Sequence, residues 1–186
     1  MNEGHQLCDS EEWRAVVRDH MIPWALGEVD LGDDVLEIGP GYGATTDVFA
    51  QQVPRLTSVE IDPELAARLA DRFKGTNVEV VLGDATDLAM DDERFTGAVC
   101  FSMLHHVPSP ELQDELFREA ARVLRQGAPF VAVDAAWSEG TAAFHEGDTY
   151  QPIDPDTLPG RLAAAGFSDV AVQLNEFGWA ALARRT

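Results

Sequence analysis

Two cysteines, Cys8 and Cys100, are too few for a disulfide framework, and Cys100 falls in a strand-like apolar run where a buried free thiol is the expectation. No apolar run approaches the roughly 18 residues that a membrane helix needs, which removes a spanning segment and a membrane partner from consideration. The start, Met1 to Glu12, lacks a basic region followed by an apolar stretch, so no secretory signal is expected and a cytoplasmic location fits. Basic residues are scarce: 13 Lys+Arg stand against 33 Asp+Glu, for a net charge of −20. Such a surface repels polyanions, so DNA and RNA are not expected as partners, and the same field favours a cationic ligand. No C-x-x-C or H-x-x-x-H spacing is present, so no metal site is expected. Repeats and low-complexity tracts are also missing.

What is there is an ordinary globular composition, 45% hydrophobic and 25% charged over 186 residues, the size of one α/β domain. A single domain is expected over 1–186, with an N-terminal helical segment over 1–33 and a core over 34–186. Short apolar runs at Asp34–Ile38, Leu56–Ile61, Val78–Leu82, Gly97–Ser102 and Pro129–Asp134 alternate with helical segments. That alternation marks a doubly wound, Rossmann-like α/β sheet, mostly parallel. Helix starts are signposted by Asp62-Pro63 before Glu64–Phe73, Ser109-Pro110 before Glu111–Leu124, and Asp154-Pro155 before Asp156–Ala165. Each joins a capping side chain to a proline that needs no N–H at the first helical position. Val170–Leu174 and Trp179–Ala183, separated only by Asn175–Gly178, read as an antiparallel C-terminal hairpin. Ser10–Gly27 reads as an amphipathic helix carrying Trp13, Val16, Val17, Met21 and Trp24 at helical spacing.

Three strand ends carry chemistry. Leu36-Glu37-Ile38-Gly39-Pro40-Gly41-Tyr42-Gly43 runs a strand into a glycine-rich turn that opens a helix, where a ligand can approach the backbone and meet free N–H groups. Gly39, Gly41 and Ala44 also satisfy G-x-G-x-x-A, which keeps an NAD-dependent oxidoreductase open. Glu60, ending the second strand, can accept both ribose hydroxyls of an adenosine and would repel a 2′-phosphate. In Gly83-Asp84-Ala85, after the third strand, a carboxylate can take the exocyclic amine of adenine while a neighbouring N–H meets a ring nitrogen.

Taken together, these residues, with Met103-Leu104-His105-His106 after the fourth strand and Arg122-Val123-Leu124 before the fifth, resemble the class I S-adenosylmethionine-dependent methyltransferases over about residues 34–186. The resemblance implies about seven strands in the order 3-2-1-4-5-7-6, with S-adenosylmethionine as cofactor and S-adenosylhomocysteine as product. It implies that the turn of Glu37, Gly39, Gly41, Tyr42 and Gly43 meets the methionine and ribose. Glu60 would serve the ribose hydroxyls, Asp84 and Ala85 the adenine, and the backbone of Phe101, Ser102 and Met103 the amino-acid end, with Ile61 and Gly83 also among the cofactor-binding residues. The chain has Gln126-Gly127-Ala128 where the family often has a Pro-Gly-Gly turn.

Methyl transfer needs an aligned nucleophile and, for some acceptors, a base. Candidates by location are His106 and His105 after the fourth strand, Asp134 ending the fifth, and His145 with Asp148 and Tyr150 in the loop Ala135–Ile153. Adjacent His105 and His106 cannot both face the cleft in extended backbone, so one of them is expected to be structural. Trp137, Phe144 and Tyr150 of that loop, with Trp13 and Trp24, could wall an acceptor pocket. No cap domain is visible, so the N-terminal helix and the 135–153 loop are expected to form a lid over a small-molecule acceptor. The chain is expected to be a monomer or homodimer. A non-catalytic S-adenosylmethionine-binding module is the other alternative.

Overall fold

The structure, a computed structural model, describes residues 7–176 and 178–186. The first six residues of the Met1–Glu12 stretch, and Phe177 of the Asn175–Gly178 turn, therefore lie outside the described residues. Seven strands form one sheet in the order β3-β2-β1-β4-β5-β7-β6. These are β1 (Asp34–Ile38), β2 (Arg55–Glu60), β3 (Val78–Leu82), β4 (Gly97–Phe101), β5 (Pro129–Asp134), β6 (Phe167–Asn175) and β7 (Gly178–Arg185). The first five are parallel; β7 runs antiparallel to both β5 and β6. This is the predicted order, with the hairpin at the end.

Residues β1, β4 and β5 are buried along their whole length, because helices cover both sheet faces. Successive residues go to opposite cores. Leu36, Ile38, Ala98, Cys100, Phe130 and Ala132 join one core with Leu116, Phe117 and Ala120 of α5 (Pro110–Val123) and Leu158 and Leu162 of α7 (Leu158–Ala165). Val35, Val99, Phe101, Val131 and Val133 join the other, with Phe49 of α3 (Ala44–Gln52) and the N-terminal helical segment. Burial and the charges of Asp134 and Glu37 hold the Cys100 thiol protonated, as an inert core group.

Caps fall where the sequence places them. Asp62 accepts from Glu64 and Leu65 N–H at the start of α4 (Pro63–Arg72), and Ser109 accepts from Leu112 N–H at the start of α5. Gly166 closes α7 with φ +103°.

Two elements depart from expectation. The N-terminal helix is not uniform: α1 (Glu11–Val16) and α2 (Ile22–Leu26) are joined by a π turn over Val17–Met21. Pro23 supplies no N–H for an i→i−4 bond, and the wider turn accommodates it, with Ile22 N–H reaching back to Val17 O. The 135–153 stretch, expected as loop, contains α6 (Glu139–Phe144), nucleated by a capping box in which Ser138 and Thr141 satisfy each other's backbone N–H. Among the described residues no helix is long and apolar enough to cross a membrane.

Candidate functional site

A cavity of about 430 Å³ opens at the C-terminal ends of β1, β2, β3 and β4, where the chain reverses its winding direction from β1 to β4. Open α/β sheets bind ligands at this place, and the volume lies within the range of small-molecule sites. Its floor is the turn between β1 and α3. Gly39 there has φ +66°, and a Cβ on it would lie 2.7 Å from Met103 Cγ, so only glycine fits. Gly41 has φ +54° and nothing within 4 Å of where its Cβ would be, which leaves the backbone bare toward the cavity it lines.

Glu60, 6% exposed, ends β2 beside that turn. Its Oε2 accepts from Gly41 N–H at 2.9 Å and its Oε1 from Asp62 N–H at 3.0 Å. The carboxylate is thus fixed at the cavity wall with lone pairs remaining for a ligand. Asp84 also lines the cavity, its Oδ1 held by Thr86 N–H and Oγ1 at 2.9 and 2.8 Å. Ile61, 65% exposed, Ala85 and Leu112 add an apolar slot between these acids. The turn, Glu60 and Asp84 therefore converge on one space.

Glu37 does not reach it. Its carboxyl is buried below the turn, accepting from Thr45 Oγ1 at 2.5 Å, Thr46 Oγ1 at 2.8 Å and Ser58 Oγ at 2.6 Å. Both faces of β1 are covered, so a side chain there points into a core whichever way it turns. Burial raises the pKa of this carboxyl above the ordinary glutamate range, against the lowering effect of the three hydroxyls. Glu37 pins β2 and the start of α3 beneath the glycine turn.

At the other side, Ser102 leaves β4 with φ +52°, a conformation that costs a non-glycine residue about 1–3 kcal/mol and clusters at functional sites. Ser102, Phe101 and Met103 line the cavity, as do Trp13, Val17 and Met21 of the N-terminal segment and Asp148 and Thr149 of the 135–153 stretch. Trp24 instead lines a separate shallow cavity beside β6 and β7, and Trp137 is 64% exposed; neither walls the main cavity. The N-terminal segment is clasped to the floor. Arg14 pairs with Asp9 and Asp47, Arg72 with Asp47, and Arg68 with Asp9, while Arg14 and Arg72 both donate to the carbonyl of Tyr42.

Beyond β4 the backbone is not extended. Leu104–His106 form a 3-10 turn, which sets the rings of His105 and His106 side by side with centroids 4.2 Å apart. His106 lines the cavity. His105 is buried behind it, its Nδ1 2.5 Å from Asp134 Oδ1 and its N–H donating to Asp134 Oδ2 at 2.8 Å. Asp134 is 1% exposed and holds His105; among the described residues it does not line the cavity. His145 is buried as well, stacked on Tyr150 at 4.5 Å, with its Nδ1 2.7 Å from Thr141 O. The ligand nitrogens of His105, His106 and His145 all lie within 4.8 Å of one another. Sequence spacing did not reveal this trio, because His145 arrives from a distant segment.

The electrostatics of the lining are one-sided. Glu60, Asp62, Asp84 and Asp148 contribute four carboxylates, and no Lys or Arg lines the cavity among the described residues. Such a wall suits a ligand carrying positive charge.

Comparison with known proteins agrees with this geometry. A family model described as a methyltransferase domain matches residues 36–132. A ribosomal RNA small subunit methyltransferase A of Kineococcus radiotolerans is 38% identical over 135 residues, 70% of this chain and 42% of that protein. The same enzyme of Cupriavidus pinatubonensis is 40% identical over 93 residues, 49% of this chain and 32% of that protein. The chain thus spans less than half the length of these curated relatives. Among solved structures, the PH0226 protein of Pyrococcus horikoshii superposes with a TM-score of 0.82 at 15% identity, covering 100% of both chains. An S-adenosylmethionine-dependent methyltransferase of Mesorhizobium loti gives 0.73 at 17% identity, over 90% of this chain and 99% of that one.

These relatives correct one expectation. Net charge speaks against a nucleic-acid partner, yet these curated relatives are named ribosomal RNA small subunit methyltransferases. Net charge sums over a whole surface and does not describe the local face that meets a substrate, so it cannot exclude a partner class.

Proposed function

We propose, since the chain belongs to the methyltransferase-domain family of class I S-adenosylmethionine-dependent enzymes, that it transfers a methyl group from S-adenosylmethionine to a small-molecule acceptor. The observation that carries this is Glu60, held by Gly41 N–H on the wall of a cavity lined by four carboxylates and no Lys or Arg among the described residues. When bound, the cofactor supplies a methyl group on a sulfonium, an electrophile that needs an aligned nucleophile and little else.

The residues divide the work. Glu60 takes the ribose hydroxyls with the lone pairs left over from Gly41 and Asp62. Asp84 accepts the adenine amine, and Ile61, Ala85 and Leu112 enclose the purine in their apolar slot. The bare backbone at Gly41 admits the methionine portion, and Phe101, Ser102 and Met103 border its amino-acid end. The acceptor lies against the Trp13, Val17, Met21 and Thr149 part of the lining, with Asp148 as the carboxylate there. His106 is the imidazole on this wall and serves as base for an acceptor that must lose a proton.

The names of the curated relatives set the competing acceptor, small-subunit ribosomal RNA. The test supplies methyl-labelled S-adenosylmethionine with a panel of phenols, amines, thiols and carboxylates, and separately with small-subunit ribosomal RNA. Calorimetric titration of S-adenosylhomocysteine and of NAD runs alongside. Label in a small acceptor and binding of S-adenosylhomocysteine are expected. Label in RNA alone overturns the acceptor class; binding with transfer to neither makes the chain a binding module; binding of NAD alone reverses the cofactor.

A further inference from the structure

The geometry points to a three-histidine site for a divalent transition metal, zinc foremost, formed by His105, His106 and His145 behind the acceptor end of the cavity. Imidazole is the side chain these metals share as a ligand, and three of them leave a fourth position for water or a ligand atom. Three nitrogens bound to zinc at about 2.1 Å stand about 3.4 Å apart, so the present spacing of 4.8 Å or less closes with ring rotations of about an ångström.

The surroundings are those of a built site. A histidine that binds metal through one ring nitrogen almost always has the other tied to a carboxylate or a carbonyl, which sets the tautomer and aims the ring. His105 and His145 have such a partner. His105 Nδ1 meets the buried carboxylate of Asp134, which further accepts from the backbone N–H groups of His105 and Ala135, and His145 Nδ1 meets the carbonyl of Thr141. With the Asp134 carboxylate as acceptor, His105 donates from Nδ1, which leaves Nε2 as its ligand atom. Asp134 also supplies negative charge against a buried cation.

The frame around the rings is fixed from several segments. Gln151 N–H donates to His105 O at 2.7 Å, and Gln113 Nε2 bridges Leu104 O and Gln151 O at 3.1 and 2.8 Å. Tyr150 stacks on His145 and donates to Thr141 Oγ1 at 2.7 Å, on the residue whose carbonyl aims that ring. His106 is both part of the trio and part of the cavity wall, so the fourth position lies toward the acceptor. With metal bound His106 is a ligand; without it His106 is the base proposed above. The metal site rests on the rings and their hydrogen-bond partners and stands or falls apart from methyl transfer.

The test uses the full chain stripped of metal by chelator, titrated with zinc in competition with a chromophoric chelator and with cobalt in the visible. One metal per chain is expected, with the cobalt spectrum of a four-coordinate nitrogen site and a zinc-dependent rise in unfolding temperature. H106A and H145A should each lose about 100-fold or more in affinity, and D134N about tenfold. H20A, which alters an exposed histidine of the N-terminal segment, should bind as the wild type does. Stripped variants that unfold at the temperature of the stripped wild type show that the ligands and not the fold were lost. If H145A does not fold, the half-buried His106 carries the test. Substoichiometric metal, undiminished binding in H106A, or a thiolate band placing cobalt on Cys8 overturns the site.

Discussion

The two lips of the cavity are made in different ways. On the side of β1, β2 and β3, each group that faces the cavity sits at a strand end and is held by near neighbours or the adjoining strand end: Glu60 by Asp62 and Gly41, Asp84 by Thr86, the glycine turn by its own dihedrals. On the other side, Trp13, His106 and Asp148 come from three remote segments and meet only because the chain is folded. The first lip is set by local geometry and a parallel sheet. The second is set by long-range packing, which leaves it free to differ between proteins that share the first.

That division can be broken or sharpened by substitution. The largest effect is expected from Glu60→Ala, which removes the fixed acceptor and frees Gly41 N–H. Charge-assisted hydrogen bonds of about 1.5–3 kcal/mol make a loss of about 100-fold in S-adenosylhomocysteine affinity the expected calorimetric result. An unchanged affinity would mean that the cofactor lip does not hold the cofactor.

Trp13→Ala probes the opposite lip. A fall of about tenfold in kcat/KM with cofactor affinity held within about twofold is expected; equal losses in both would erase the distinction between the lips. Truncating residues 1–27 would be a poorer probe, because Val17, Met21, Ile22 and Ala25 belong to the core and the fold would suffer with the lip.

The smallest effect concerns what lies beneath the first lip. Glu37 has its pKa raised by burial, so the folded state holds its proton more tightly than the unfolded chain does. Stability from this group is present below the ordinary value of 4.5 and is lost as pH rises through the raised value. Urea midpoints from pH 4 to 7 should therefore show wild type losing ground to Glu37→Gln as pH increases. Parallel curves would show that the three hydroxyls compensate fully for burial.

The first lip was legible in the sequence because its parts are contiguous: a strand, a glycine turn and an acid at the next strand end can be read in a line. Alternation and the terminal hairpin carried the mostly parallel, doubly wound sheet, while its strand order came only with the family resemblance. What failed to show was anything needing two faces or two segments at once. Glu37 belongs to the motif in sequence, but its side chain turns below the turn into the packed interior. His105 and His106 share a side only because a 3-10 turn replaces extended backbone, and His145 joins them from beyond β5. The short helix α6 carries no apolar stripe, and its signal was a Ser138-Thr141 cap inside what reads as loop. Trp24 and Trp137 share an aromatic label with Trp13 but not its place, since spacing on a helix does not say which groove a ring fills.

The arginine clasp over Tyr42 bears on the wall of the cavity. Arg14 and Arg72 grip one carbonyl of the floor while Asp47 binds these two arginines to each other and Asp9 binds Arg14 to Arg68, so the N-terminal segment is tied to both the floor and α4. Swinging the N-terminal segment outward would break the Arg14–Asp47 and Asp9–Arg68 ion pairs at once and leave the Tyr42 carbonyl to Arg72 alone. Pro108, Leu112 and Thr149, which line the same cavity, take part in none of these pairs, so the first helix is the anchored stretch of its wall.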